Sequence, residues 1–148
     1  MRINSVRFAA LHIPVLAGIV AAACVPEPTG SEVTVWEAEL VAEIAYPGFS
    51  GSVAAVSGSN GTEVSILIEG AQPGAVHAWR IQLGSCSDPR QQLGPSADYP
   101  ELEAGLQGSA SVETTLGPRL NSEEIYHAEV LAAPGETARI ACGNLSRD

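Results

Sequence analysis

The sequence predicts an all-β fold, an antiparallel Greek-key sandwich, and three observations lead there. Apolar residues Trp36, Ala38, Leu40, Ala42 and Ile44 alternate with Glu37, Glu39 and Glu43, the period of a strand with one wet face. An Asn60-Gly61 pair, the strongest short-range hairpin signal, lies between two β-rich runs. Further short apolar runs then recur to the end of the chain, separated by glycine- and proline-bearing turns, as in sandwiches of seven or more strands.

The elements follow in order. Residues 36–44 read as the first strand, although Val33, Trp36, Leu40 and Ile44 also fall at helical spacing and Ala, Glu and Leu are good helix formers, so both readings stand locally. Residues 51–56, the turn at 57–62 and residues 63–69 form a hairpin whose inner face is Val64, Ile66 and Ile68. Gln72-Pro73-Gly74 turns the chain into a strand over 75–83. Residues 84–108, with Pro89, Pro95 and Pro100, read as a long irregular stretch. Residues 109–116, 125–132 and 137–142 are three more strands, with Gly117-Pro118 and Pro134-Gly135 between them.

Charge limits the function classes. The chain carries seven arginines, no lysine and 17 carboxylates, for a net charge of −10. All 17 carboxylates follow residue 26, so a chain starting at residue 24 would hold five arginines against 17 acids, a net −12. Such a charge balance argues against nucleic acid, whose phosphates need a basic patch, and against electrostatic docking on anionic lipid. A hydrophobic content of 45% fits a globular protein. One domain of this length buries roughly two thirds of its unfolded surface, enough for a single core.

The first 23 residues read as a signal peptide. Arg2 and Arg7 precede an apolar run from Phe8 to Ala23, too short for a membrane span and without a polar face. Val20-Ala21-Ala22-Ala23-Cys24 resembles a bacterial lipobox, with Ala21 where that pattern prefers leucine. This implies lipidation of Cys24, while the Ala21–Ala23 site also allows ordinary cleavage. Residues 24–31, with Pro26, Pro28 and Gly30, read as a tether, and residues 32–148 as the domain. With Cys24 as the lipid site, Cys86 and Cys142 are left to pair in an oxidising compartment or to stay as free thiols. Metal binding by these thiols is disfavoured, since no C-x-x-C spacing is present.

Several segments together resemble the copper–zinc superoxide dismutase family. Pro73-Gly74-Ala75-Val76-His77-Ala78-Trp79-Arg80-Ile81-Gln82-Leu83-Gly84-Ser85-Cys86 is similar to its Pro-Gly-x-His-Gly-Phe-His-Val-His segment and the cysteine beyond it. Gly94-Pro95 resembles the Gly-Pro before the metal-bridging histidine, and Gln107-Gly108-Ser109-Ala110 the family's Asp-Gly-x-Ala. Ala138-Arg139-Ile140-Ala141-Cys142-Gly143 resembles its closing Ser-Arg-Leu-Ala-Cys-Gly. The resemblance spans residues 50–145 and implies an eight-stranded Greek-key sandwich, or flattened barrel, with a Cys86–Cys142 disulfide.

It does not carry the metal chemistry with it. The two copper histidines, spaced to share one strand face, fall on Arg80 and Gln82. Arginine has no lone pair to offer, and glutamine offers only a hard amide oxygen. The bridging histidine falls on Ser96. The last copper histidine falls on Leu131, or on His127 in a shifted register. The loop that should carry zinc ligands has no histidine, only Asp98 as a candidate carboxylate. His77 matches a structural histidine, and Arg139 the arginine that guides the anionic substrate. Arg80 is expected either to face water or to replace the metal structurally by pairing with Asp98 or Glu101.

Other motifs add little. Gly48-Phe49-Ser50-Gly51 is not a hydrolase elbow, no Ser-His-Asp set or phosphate loop stands out, and the triplets at Asn60 and Asn144 are incidental glycosylation matches. The expectation is an exported, lipid-anchored protein of the bacterial cell envelope, or a soluble secreted or periplasmic one. No catalytic residue, metal ligand or cofactor is assigned. It would act as a non-enzymatic binding or structural module, attached to the membrane through its anchor and otherwise without an identified partner. One alternative is a divergent dismutase or a copper- or zinc-binding protein using His77, His127 and acidic-loop carboxylates. The other is a small-anion binder using Arg80 and Arg139.

Overall fold

The computed structural model describes residues 33–147. The segments read from the sequence as a signal peptide and a tether, with Cys24, lie outside the described residues. Among those described, no helix is long and apolar enough to cross a membrane.

The chain forms strands β1 (Thr34–Ala42), β2 (Ser50–Gly58), β3 (Gly61–Glu69), β4 (Val76–His77), β5 (Trp79–Ser85), β6 (Asp88–Gln92), β7 (Leu102–Glu103), β8 (Ala110–Leu116), β9 (Tyr126–Leu131), β10 (Arg139–Asn144) and β11 (Ser146–Arg147), with one 3₁₀ turn at Ser96–Asp98. The eight longer strands make one antiparallel sheet in the order β6-β5-β9-β10-β1-β2-β3-β8, with β11 also on β1, while β4 pairs with β7. The sheet curls into a flattened half-barrel. Its two halves meet at the β1–β10 seam, where only Val41↔Cys142 and Ala42↔Ala141 are in register. Trp36, Leu40, Val53, Ile66 and Ile68 on one half pack against Trp79, Ile81, Tyr126, Val130 and Ile140 on the other. Side-chain alternation puts these residues inward. Each large aliphatic side chain buried there stabilises the fold by roughly 1.5–3 kcal/mol.

The strand reading of the first segment holds: Trp36, Ala38 and Leu40 are buried and Glu37 and Glu39 exposed. The alternation stops short of its predicted end, and Ile44 is fully exposed in the turn toward Phe49. The β2–β3 hairpin forms, but its turn is shifted by one residue. Gly58 faces Gly61 across the ladder, so Ser59 and Asn60 are the tip. Among the described residues none other than glycine has positive φ, which excludes the Asn60-Gly61 turn type, and Gly61 has φ +120°. A Cβ on Gly61 would lie 2.4 Å from the Leu116 carbonyl oxygen, which only glycine avoids. The predicted turn at 72–74 is present, with Ala75 N donating to Gln72 O at 3.0 Å and Gly74 at φ +76°.

Two predicted elements divide. The strand over 75–83 breaks after His77, so β4 leaves the main sheet to pair with β7. The stretch expected to be irregular contains edge strand β6. Pro89 hid it, because proline reads as a strand breaker, yet an edge strand tolerates one.

Candidate functional site

The site assembles on the outer face of β5 and β9. Their register sets Arg80 opposite Glu129 and Gln82 opposite His127. Trp79, Ile81, Ala128 and Val130 point into the core, so the intervening side chains share the other face. On the far side of β9, β10 brings Cys142 beside Glu129 and Asn144 beside His127. The disulfide Cys86–Cys142 ties the segment after β5 to this surface. Cys86 N donates to Asn144 Oδ1 at 2.8 Å. Covered in this way, β9 is buried on both faces over its whole length.

Glu129 is only 4% exposed, and a carboxylate buried so deeply needs a cation. Arg80 supplies it, with Nε 2.6 Å from Glu129 Oε1. The Gln82 amide is satisfied with its oxygen on the same guanidinium, accepting from Arg80 Nε at 2.7 Å and Nη2 at 3.3 Å. Arg139 approaches from β10: its Nε donates to Glu43 Oε1 at 2.8 Å and its Nη1 to Cys86 O at 2.6 Å. That Nη1 also stands 4.0 Å from Glu129 Oε2. Two arginines and two glutamates thus form a neutral network that joins β5, β9, β10, the end of β1 and the disulfide segment.

This corrects the expected partner of Arg80. Asp98 lies in the 3₁₀ turn, where its backbone carbonyl accepts from Thr114 Oγ1 at 3.0 Å, and Glu101 is exposed. Among the described residues Arg80 forms its ion pair with Glu129 on the neighbouring strand. The 93–103 loop is held by aromatic side chains instead. Trp79 Nε1 donates to Pro100 O at 2.8 Å. The Tyr99 ring packs edge-on to Trp79 at 5.0 Å, and the Tyr99 hydroxyl donates to Leu93 O. Burial, with Asp98 as a smaller contributor, pushes the Tyr99 hydroxyl pKa up to about 12.

Glu129 and Glu43 were not anticipated as partners of the two arginines. Both are polar positions in strand-like segments, but pairing needs the β5–β9 and β1–β10 registers, which no local pattern contains. The anion-binding expectation for Arg80 and Arg139 meets a network in which each guanidinium already faces a carboxylate.

The histidines are held separately. His127 is fully buried, with Nδ1 3.0 Å from Gly84 O. His77 is nine-tenths buried, with Nδ1 3.1 Å from Leu131 O. A carbonyl partner requires each Nδ1 to carry the proton. His127 itself and Leu131, which anchors His77, are four residues apart along β9, about 13 Å at strand rise. Among the described residues no three His, Cys, Asp or Glu side chains cluster at metal-binding distance. Ser96 sits at the start of the 3₁₀ turn and accepts from Gln92 Nε2 at 3.3 Å, and Leu131 is buried. The residues at the four positions of the resemblance, Arg80, Gln82, Ser96 and Leu131, therefore do not fit copper: one is a permanent cation, one an amide engaged by that cation, one a hydroxyl and one a hydrocarbon.

The fold is superoxide dismutase-like. Solved structures with this fold include a superoxide dismutase-like protein from Bacillus subtilis, 20% identical, with a TM-score of 0.55 over 73% of this chain and 96% of that one. A Cu/Zn superoxide dismutase from Brucella abortus is 17% identical, with a TM-score of 0.48 over 76% of this chain and 99% of that one. No protein-family model and no curated protein matches the chain by sequence.

Proposed function

We propose that the protein is an exported, lipid-anchored domain of superoxide dismutase-like fold that acts without a copper or zinc centre, as a non-enzymatic binding or structural module of the bacterial envelope. The supporting observation is the Arg80–Glu129 pair at 2.6 Å, with Gln82 on the same guanidinium. It places a fixed positive charge on the face where the resemblance would place copper, so a metal cation there would meet repulsion rather than ligands. The net negative charge of the chain also opposes encounter with an anionic substrate such as superoxide.

The test is metal analysis of the full chain after loading with copper and zinc, alongside superoxide consumption. The reading expects no stoichiometric metal and no consumption above a heat-denatured control. Stoichiometric copper, with activity that disappears in His127→Ala, would establish the divergent dismutase instead.

A further inference from the structure

We infer that the pole of the domain where the chain enters β1 carries a binding site for a phosphate group, built from Arg119 and Arg147. This inference is independent of the metal question. A concavity of about 470 Å³ opens there, lined by Thr34, Arg119, Leu120, Asn121, Ser122 and Arg147. It gathers two of the chain's seven arginines. Among the described residues, the ion pairs involve Arg80 and Arg139, and neither Arg119 nor Arg147 is in ion-pair contact with a carboxylate.

Buried polar groups fix the frame of this site. Ser57 and Thr62 are buried polar residues, 2% and 0% exposed. Both hydroxyls serve the loop that bears Arg119. Leu120 N donates to Ser57 Oγ at 3.0 Å, and Thr62 Oγ1 donates to Pro118 O at 2.9 Å. The next residue is held as firmly, with Asn121 N donating to the Tyr126 hydroxyl at 3.0 Å. Asn121 Oδ1 accepts from Glu123 N at 3.0 Å, which leaves the amide NH₂ as its available donor. Arg147 is oriented from the other side: its Cζ lies 5.4 Å from the centroid of the Trp36 ring. A guanidinium held against an aromatic ring keeps N–H donors free for a further partner.

The ligand class follows from the donor inventory. Two guanidinium groups, an amide NH₂ and the Ser122 hydroxyl form a donor-rich lining. It suits a compact oxyanion with several acceptor oxygens and more than one negative charge, which describes a phosphate. Glu123 and Glu124 follow in the same loop, and the whole chain is acidic. Binding therefore depends on close contact rather than long-range attraction, and weakens with salt. The phosphate could be free or carried by a lipid headgroup.

Isothermal titration of the full chain at low ionic strength, with inorganic phosphate and separately with glycerol 3-phosphate, tests the site. Saturable binding of at least one is expected. It should weaken about tenfold in R119Q and in R147Q, the loss of one charge-assisted contact each, and stay unchanged in R90Q, which removes an exposed arginine on β6. Circular dichroism of each variant checks that the fold persists. Tighter binding of glycerol 3-phosphate assigns a headgroup as the source, and equal or tighter binding of inorganic phosphate assigns the free ion. Absence of saturable binding of either, or binding that the R119Q/R147Q double variant retains, overturns the site.

Discussion

Replacing Arg80 by methionine should destabilise the protein far more than its partly exposed position suggests, because the damage falls on Glu129. The variant leaves a carboxylate that is 4% exposed with only Arg139 Nη1 nearby, at 4.0 Å. Breaking a buried pair by removing one partner costs about 3–5 kcal/mol. The Arg80 side chain is 29% exposed, so water already screens part of the interaction, and about 2–3 kcal/mol is expected. Glu129→Met should cost less, about 1–2 kcal/mol, since the remaining guanidinium keeps Gln82 and some solvent. The double variant removes the buried charge together with its partner. It should return to within about 1 kcal/mol of wild type, as apolar replacements of buried ion pairs commonly do. The coupling energy across the cycle is then about 2–5 kcal/mol. Urea unfolding measures each ΔG, with an unchanged m-value showing that the unfolded state is comparable. A coupling below about 0.5 kcal/mol, with the double variant no better than the sum of the singles, would refute the claim that this pair ties β5 to β9. Chelator should leave the wild-type urea midpoint unchanged if the network, rather than an ion, secures this face.

Three further outcomes follow from other parts of the molecule. Because burial raises the Tyr99 pKa to about 12, between pH 10 and 12 the unfolded chain loses a proton that the folded chain keeps. Stability is full below pH 10 and falls as pH rises through that window, by at most ~2–3 kcal/mol, and urea titrations at stepped pH should show Tyr99→Phe lacking this component. The Cys86–Cys142 bridge closes a sequence separation of 56, so Cys86→Ala with Cys142→Ala should cost about 4 kcal/mol by chain-entropy reasoning; peptide mapping without reductant should find the two cysteine peptides joined, and free alkylation of both in the folded protein would contradict this. Cys24→Ser should release the protein from the membrane fraction, whereas wild type and variant fractionating alike as soluble proteins would indicate ordinary cleavage.

The framework of the fold was legible because its determinants are local. Strand alternation in β1 and β3, the Pro73-Gly74 turn and the glycine-marked hairpin are properties of a few adjacent residues, and the structure keeps them. The misread places are those where neighbours outweigh local preference. Asn60-Gly61 signals a turn centred on itself, but pairing of β3 with β8 brings Leu116 O against Gly61 and moves the turn back by one residue. The divided strand at His77 depends on pairing with Leu102, far along the chain. Edge strand β6 depends on lying beside β5, where one free edge lets Pro89 go without a hydrogen bond.

The candidate site separates along the same line. Residue identity alone determined that Arg80, Gln82, Ser96 and Leu131 are a poor donor set for copper, because what an atom can donate or accept does not depend on its neighbours. It also determined the charge balance and which cysteines were left to pair. Only the tertiary structure decided what Arg80 does. Glu129 lies 49 residues away and becomes its partner through the antiparallel register of two strands. A shift of that register by one residue would turn Glu129 to the opposite face. Arg119 and Arg147 likewise look like ordinary surface charges until Ser57, Thr62 and Trp36 hold their surroundings at one pole of the sheet. Side-chain chemistry is intrinsic to each residue, whereas partnership depends on distance, and distance between remote residues exists only once the chain has folded.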